Sequence, residues 1–132
     1  MKVEESSSNS KPNGTGARRI IKAFGCSMLG FKACFQHEAA FRQELILCIV
    51  LLPLSLFIST TLAIWVGLIA AMLFLLFAEI INSAIEALAD QVSLEHHELL
   101  GRAKDLGSAG VFLAFILNCL VWGYALYQYW LV

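Results

Sequence analysis

Two long stretches of this chain contain no charged side chain, and they constrain its fold more than any other feature. Residues 45–78 and residues 106–132 lack Asp, Glu, Lys and Arg. A helix needs about 20 mainly apolar residues to cross a membrane. The second stretch therefore accommodates one span. The first is too long for one span, and it holds two only if the charged residues at its flanks form the ends of the helices.

Polar and turn-forming residues divide the first stretch near its middle, between residues 53 and 61. Of all residues, 59% are hydrophobic and 14% are charged, whereas a soluble domain has about 45–50% apolar and about 25% charged residues. This composition excludes a disordered chain and argues against a water-soluble globule. The sequence predicts an all-α membrane protein with three transmembrane helices, at about 39–58, 62–90 and 103–131.

The distribution of Lys and Arg predicts the orientation of these spans. Seven of the nine precede or begin the first span, and the other two lie where the third begins. The positive-inside rule then places the N-terminus and the loop 91–102 in the cytoplasm and the C-terminus outside a bacterial inner membrane. The net charge of −1 provides no basic field for nucleic acid, so we expect no nucleic-acid partner.

Two segments precede the first span. Residues 1–16 are rich in Ser, Asn, Gly and Lys and are predicted to form a disordered tail. Residues 17–36 are predicted to form an amphipathic helix on the cytoplasmic membrane surface, as the first part of a membrane domain at 17–132. Its apolar face is formed by Ile20, Phe24, Met28, Phe31 and Phe35.

A stripe of polar side chains interrupts the second span near its C-terminal end. Glu79, Asn82, Ser83, Glu86 and Asp90 share one face of a helix by their spacing. Carboxylates are costly in hydrocarbon, so this face is expected to meet other helices, cations or a metal ion. It could be a structural polar seam, an ion or proton path, or a site that holds a divalent cation against phosphate. Almost all ionisable residues lie near one membrane surface, which favours an interfacial enzyme over a path through the membrane.

Four sequence motifs resemble those of the prokaryotic diacylglycerol kinase family. They are RIIKA at 19–23, EAAFRQE at 38–44, EIINSAIE at 79–86, and GRAKD at 101–105 followed by Gly-Ser-Ala. The resemblance runs from about residue 18 to the C-terminus. It implies a homotrimeric helical bundle with active sites at subunit boundaries. It also implies transfer of the ATP γ-phosphoryl group to the primary hydroxyl of diacylglycerol, which gives phosphatidic acid.

The resemblance also implies roles for individual residues. Glu79 would be the general base, Glu38 and Glu86 would hold Mg²⁺ against the phosphates of ATP, and Asn82 would support the site. Cys26 and His96 stand where the family has Tyr. The nucleotide-binding residues would be Arg19, Cys26, Glu38, Glu86, Glu95, His96, His97, Lys104 and Asp105. The lipid-binding residues would be Ala23, Ala40, Arg42, Gln43, Glu44, Glu79 and Ser108.

Three other functions remain open from the sequence. An undecaprenol kinase shares the fold and the acidic core, although the EAAFRQE block resembles the diacylglycerol branch. A small oligomeric ion channel or transporter would use the acidic stripe for conduction without turning over ATP. A purely structural membrane subunit would tolerate the loss of Glu79 and Glu86.

Overall fold

The computed structural model describes residues 16–93, 95 and 97–131. Within these residues the chain forms four α-helices, and the last three are long and apolar enough to cross a membrane. The prediction of an all-helical protein with three such helices is therefore confirmed. The predicted tail at 1–16 lies outside the described residues, except for Gly16. The helices are α1 (Ala17–His37), α2 (Ala39–Ile58), α3 (Leu62–Val92) and α4 (Glu98–Leu131).

The start of α4 differs most from the sequence prediction. The predicted span began at residue 103, whereas α4 begins at Glu98. Glu98 lies in the first turn, where a negative charge is favoured by the helix dipole. Its carboxylate also pairs with Arg102 one turn later, at 3.2 Å. Hydropathy locates only the apolar part of this helix, because residues 98–105 include four charged side chains, those of Glu98, Arg102, Lys104 and Asp105.

The connection between α2 and α3 is three residues long. Ser59 ends α2 in an extended conformation, and the Thr61 side chain accepts a hydrogen bond from the Ile64 amide at 3.3 Å, which caps α3. The residues that divided the long apolar stretch thus form a tight turn. With so short a turn, α2 and α3 run antiparallel as neighbours, and the start of α2 lies at the same end of the bundle as the end of α3.

Within the bundle, α3 packs mainly against α4 and less extensively against α2. Ile58, Leu68 and Ala125 form a small apolar core near the α2–α3 turn. Farther along, the buried Asn118 side chain of α4 donates a hydrogen bond from Nδ2 to the Ala71 carbonyl of α3 at 2.7 Å. Hydrogen bonds of this kind hold transmembrane helices in register, because the hydrophobic effect provides little drive between helices in lipid.

The outer surfaces of the three apolar helices carry large exposed hydrophobic side chains. Phe57 is 79% exposed, Phe112 is 64% exposed and Trp130 is 83% exposed in the single chain. A surface of this kind is stable against lipid tails or other apolar helices rather than against water. Together with the helix lengths, it identifies a multi-pass membrane protein.

The first helix differs from the others in its exposure. Every described residue from 16 to 33 is exposed, whereas Cys34 in the last part of α1 is buried. The end of α1 is joined to α2 by Arg42, whose Nη1 donates hydrogen bonds to the carbonyls of Phe35 at 3.0 Å and Gln36 at 3.3 Å. This contact fixes the turn between the two helices.

Candidate active site

The charged residues of the bundle gather at one end, which we call the charged end. It consists of residues 38–44, where α2 begins, and residues 79–105, where α3 ends and α4 begins. All Asp, Glu, Lys and Arg between residues 33 and 131 fall in these two segments. Because the three helices alternate in direction, both segments lie at the same end of the bundle.

The polar stripe of α3 passes from the bundle interior to the surface. Glu79 is 4% exposed, and Asn82 and Ser83 are also buried. Glu86 is half-buried and Asp90 is exposed. One helix face therefore carries carboxylates in three environments, and the most buried is the one nearest the apolar half of the helix.

Asn82 links two levels of this stripe. Its Nδ2 donates a hydrogen bond to Glu86 Oε1 at 3.0 Å. Its Oδ1 is buried, as is the hydroxyl of Ser83, and neither accepts or donates a hydrogen bond among the described residues. Buried polar atoms are nearly always satisfied in native proteins. These two atoms are therefore available to a ligand, to water or to another chain.

A second part of the site lies between the end of α3 and the start of α4. Lys104 Nζ of α4 pairs with Asp90 Oδ1 of α3 at 2.5 Å. The pair lines a pocket of about 250 Å³ to which Glu95 and His97 also contribute, so Glu95, His97 and Lys104, all predicted to bind nucleotide, face one cavity. The full lining is Ala89, Asp90, Ser93, Glu95, His97, Leu100, Gly101 and Lys104.

The start of α2 brings a further carboxylate to the charged end. Glu38 occupies the N-cap position of α2 in an extended conformation, and its side chain makes no capping hydrogen bond. Burial raises the pKa of the Cys34 thiol, and the negative charges of Glu38 and Glu79 raise it further. Glu38 and Glu79 thus both lie within electrostatic reach of Cys34. The Glu38 carboxylate is free to hold a ligand beside the α3 stripe.

Two predicted lipid-binding residues of α2 have contacts within the chain. Arg42 is engaged with the carbonyls at the end of α1, as described above. Glu44 is half-buried, and its Oε2 is enclosed without a hydrogen-bond partner in the described part of the chain. The neighbouring Ala40 and Gln43 are exposed. Lipid binding by these residues stays a prediction.

The remaining predicted site residues are on α4, on α1 and in the loop between α3 and α4. Asp105 and Ser108 are exposed on α4, and neither lines the pocket that contains Lys104. Arg19, Ala23 and Cys26 are exposed on the part of α1 before Ala33, which is a unit separate from the rest of the chain. His96 lies outside the described residues.

The oxygen donors at the charged end can be compared with the ligands that a metal ion prefers. Among the described residues, no group of three or more His, Cys, Asp and Glu side chains is close enough to hold one. Mg²⁺ is commonly held by one or two carboxylates together with substrate phosphates and water. Glu38, which makes no capping bond, and Glu86 are carboxylates of the kind it prefers. The residues present therefore fit a magnesium–nucleotide complex better than a free metal ion.

Sequence reasoning missed two contacts in the bundle. The Asp90–Lys104 pair was not predicted, although opposite charges at two helix ends joined by a short loop are a signal for it. The Asn118 hydrogen bond was also missed. A single Asn within 27 residues that lack any charge was the available signal, since polar residues in such segments commonly bond across helices.

Comparison with known proteins identifies one family. The sequence profile of the family described as prokaryotic diacylglycerol kinase matches residues 25–126, which include α2, α3 and most of α4. The match covers all the predicted site residues except Arg19 and Ala23.

Several curated relatives carry the name diacylglycerol kinase. The protein of Escherichia coli strain K12 is 43% identical over 110 residues, which cover 83% of this chain and 90% of the relative. That of Pseudomonas aeruginosa strain PAO1 is 44% identical over 108 residues, or 82% and 88% of the two chains. That of Haemophilus influenzae strain Rd is 40% identical over 109 residues, or 83% and 92%. The likeness therefore extends over nearly the whole length of each relative.

Proposed function

Because this chain belongs to the prokaryotic diacylglycerol kinase family, we propose that it transfers the γ-phosphoryl group of ATP to the primary hydroxyl of diacylglycerol. The products are phosphatidic acid and ADP. Family membership and the three apolar helices together identify a membrane-embedded lipid kinase. The identity of the lipid, the nucleotide and the metal ion is the part we propose.

The graded polar face of α3 is the observation that supports this function best. It begins at the buried Glu79, passes the half-buried Glu86 and ends at Asp90 in the pocket beside Lys104. A lipid hydroxyl is held at the boundary of the hydrocarbon, whereas ATP arrives from water. A lipid kinase needs a path that joins these two environments, and one helix face provides it.

We propose Glu79 as the general base. Its carboxylate accepts the proton of the lipid hydroxyl while the hydroxyl oxygen bonds to the γ-phosphorus. The bond from that phosphorus to the bridging oxygen breaks, and ADP leaves with the bonding electrons. Phosphoryl transfer depends mainly on alignment and charge stabilisation, so a buried and well-positioned carboxylate is sufficient protein chemistry for this step.

Glu38 and Glu86 would hold Mg²⁺, and Asn82 would orient Glu86 through the observed hydrogen bond. When bound, Mg²⁺ supplies positive charge that neutralises the phosphate oxygens. Lys104 adds a second positive charge from the second turn of α4. Lys104 would exchange its partner Asp90 for a phosphate when the nucleotide enters.

The nucleotide would occupy the pocket between α3 and α4. Glu95, His97 and Lys104 line this pocket, and Asp105 follows Lys104 on the same helix. Arg19, Cys26 and His96 complete the proposed nucleotide contacts by resemblance. Cys26 cannot supply the aromatic ring that the family has at this position, so any stacking on the base must come from elsewhere.

The lipid would lie against α1 and the start of α2. We propose that α1 rests in the cytoplasmic interface with its apolar face toward the acyl chains. The N-terminus would then be cytoplasmic and the C-terminus outside the inner membrane. The lipid contacts would come from Ala23, Ala40, Arg42, Gln43, Glu44 and Ser108.

We propose a homotrimer with active sites at subunit boundaries. Two features of the single chain support an assembly. Large apolar side chains cover the outer faces of the helices, and Glu44 Oε2 and the Ser83 hydroxyl are enclosed without partners among the described residues. A neighbouring subunit would cover part of the apolar surface and provide hydrogen-bond partners for Glu44 Oε2 and the Ser83 hydroxyl.

Phosphate transfer from labelled ATP in mixed micelles with Mg²⁺ tests this function. Diacylglycerol and undecaprenol are offered in parallel, and Glu79→Gln protein serves as the matched control. We expect the unaltered protein to phosphorylate diacylglycerol, and we expect the Glu79→Gln protein to phosphorylate neither lipid. Preference for undecaprenol would identify the protein as an undecaprenol kinase instead. Ion conductance without phosphorylation of either lipid would overturn the kinase assignment.

A further inference from the structure

Gly107 of α4 lies directly against the Asn82 side chain of α3. A methyl group built on Gly107 would overlap Asn82 Oδ1 and lie 3.5 Å from Ile85 Cδ1. Residue 107 therefore has to be glycine for the Asn82 amide to stay where it is. One turn later, a methyl group on Gly110 would meet no described atom within 4 Å. The close approach is specific to position 107.

The orientation of the Asn82 amide follows from its two neighbours. A carboxylate accepts hydrogen bonds and cannot donate them, so the amide nitrogen must face Glu86, with Nδ2 and Oε1 at 3.0 Å. The amide oxygen then faces the α4 backbone at Gly107. With glycine at position 107, the buried Asn82 amide keeps this orientation. The α4 backbone and the Glu86 carboxylate thus clamp Asn82 between them.

From this geometry we infer that Gly107 is a positioning residue for phosphoryl transfer, because it allows Asn82 to hold the Glu86 carboxylate in one orientation. The inference rests on the proposed function, in which Glu86 holds the metal ion of the nucleotide complex. It goes beyond that function because Gly107 touches neither substrate nor metal. Its effect passes through Asn82 to Glu86.

A side chain at position 107 would displace Asn82 rather than α4. The Asn118–Ala71 hydrogen bond fixes α4 against α3 farther along the same pair of helices. The Asn82 amide, in contrast, is the end of a side chain and can rotate away. Rotation would separate Nδ2 from Glu86 Oε1 while the helices keep their packing. Gly107→Ala should therefore impair the site more than the fold.

Binding of Mn²⁺ as a stand-in for Mg²⁺ tests the inference without relying on turnover. Electron paramagnetic resonance measures Mn²⁺ affinity in the presence of a non-hydrolysable ATP analogue. We expect Gly107→Ala to weaken Mn²⁺ binding at least about tenfold, as losing a partner that orients a metal ligand commonly does. The Mg²⁺ concentration for half-maximal phosphorylation should rise by a similar factor. Gly110→Ala is the matched control and should leave both values unchanged.

A double-mutant cycle shows whether Gly107 acts through Asn82. Asn82→Ala alone should weaken Mn²⁺ binding as much as Gly107→Ala does. In the Asn82→Ala background, Gly107→Ala should have no further effect. If Gly107→Ala lowers Mn²⁺ affinity in the Asn82→Ala background as much as it does alone, the inference is overturned. Equal Mn²⁺ affinities of the Gly107→Ala and Gly110→Ala variants would also overturn it. Unaltered Mn²⁺ affinity in Asn82→Ala would also overturn it, even if Gly107→Ala failed to assemble.

Glu86→Gln separates this inference from the proposed function. If Glu86→Gln leaves Mn²⁺ affinity unchanged, the metal-binding role of Glu86 fails and the inference fails with it. If Glu86→Gln weakens binding but Gly107→Ala does not, only the inference fails. Thermal unfolding and subunit assembly of each variant in micelles show whether a loss comes from the site or from the fold.

Discussion

The bundle contains two buried asparagines, and the regions around them use the same side chain differently. Asn118 donates to two backbone carbonyls, those of Ala71 and Ala114, and lies in the apolar part of the α3–α4 pair. Asn82 donates to the Glu86 carboxylate, and its oxygen is left unpartnered by the described residues. Backbone partners cannot move without the helix. A carboxylate partner is a side chain that can exchange its contacts.

The comparison separates stability from chemistry within one pair of helices. A satisfied polar group in an apolar setting contributes to helix association. Unsatisfied buried polar atoms reduce stability, and proteins retain them where a ligand or partner will meet them. We therefore expect substitutions near Asn118 to affect unfolding, and substitutions near Asn82 to affect turnover.

Glu79→Gln should have the largest effect on turnover. If turnover did not change, the distinction between the Asn82 and Asn118 regions would be wrong. The substitution removes the proposed base and keeps the shape of the buried side chain, so turnover should fall by about 10²–10⁴-fold. Initial-rate phosphorylation assays on equal amounts of assembled protein measure this. Size-exclusion chromatography should show unchanged assembly. Normal turnover by the variant would show that Glu79 is not the general base, and the region around Asn82 would lose its assigned catalytic role.

Loss of a metal-binding carboxylate should have the next largest effect. Glu38→Gln and Glu86→Gln should each raise the Mg²⁺ concentration for half-maximal rate by at least about tenfold, because a neutral amide is a weaker ligand for Mg²⁺. The measurement is a Mg²⁺ titration at fixed ATP. Glu98→Gln, which alters an exposed carboxylate of the first turn of α4, is the control. An unchanged Mg²⁺ requirement in both variants would contradict the metal assignment.

Asn118→Leu sharpens the comparison from the other side. The variant loses the bonds to the Ala71 and Ala114 carbonyls, and interhelical bonds of this kind contribute about 0.6–1.7 kcal/mol. The free energy of unfolding should fall by about 1 kcal/mol while the rate at saturating substrate stays unchanged. Reversible unfolding in mixed micelles measures the first value. A large loss of rate with unaltered stability would reverse the roles of the two regions.

Asp90→Asn should have the smallest effect on stability. The Asp90–Lys104 pair is exposed on both sides, and exposed pairs contribute less than about 1 kcal/mol. Unfolding should therefore change by less than this amount, and high salt should abolish the difference from the unaltered protein. The free energy of unfolding of both proteins is measured in mixed micelles at low and at high ionic strength. A salt-independent loss would show that the pair holds α3 and α4 together.

The sequence was sufficient for the helices because their signals are strong and local. The uncharged stretches marked the three spans, and the turn at residues 59–61 was visible in its polar residues. The start of α4 was missed by five residues because the helix there is stabilised by charges, such as Glu98 with Arg102, rather than by apolar content. The periodicity of the α3 stripe predicted a shared face, and the rise of the helix predicted that Glu79 lies deeper than Glu86 and Asp90. Which side chains cover each carboxylate depends on packing between helices.

The contacts between helices were harder to predict because they depend on rotation and register. The hydrogen bonds of Arg42 to the end of α1 were not predicted, and its predicted lipid contact stays a prediction. The small residues at 107–110 allow a close approach of α4 to another helix. They did not indicate that Gly107 meets Asn82, because that requires the relative rotation of two helices, which one sequence does not specify.

The unequal lengths of the helices have a further consequence. At 1.5 Å per residue, the 20 residues of α2 extend about 30 Å, which matches the hydrocarbon thickness of a bilayer. The 31 residues of α3 extend about 46 Å from the same turn. Glu79 lies about 27 Å from the start of α3, close to the level at which α2 begins, and the end of α3 extends about 16 Å beyond the start of α2. At the charged end α3 therefore extends beyond α2, and its exposed last residues, 90–92, are accessible to a water-soluble reactant.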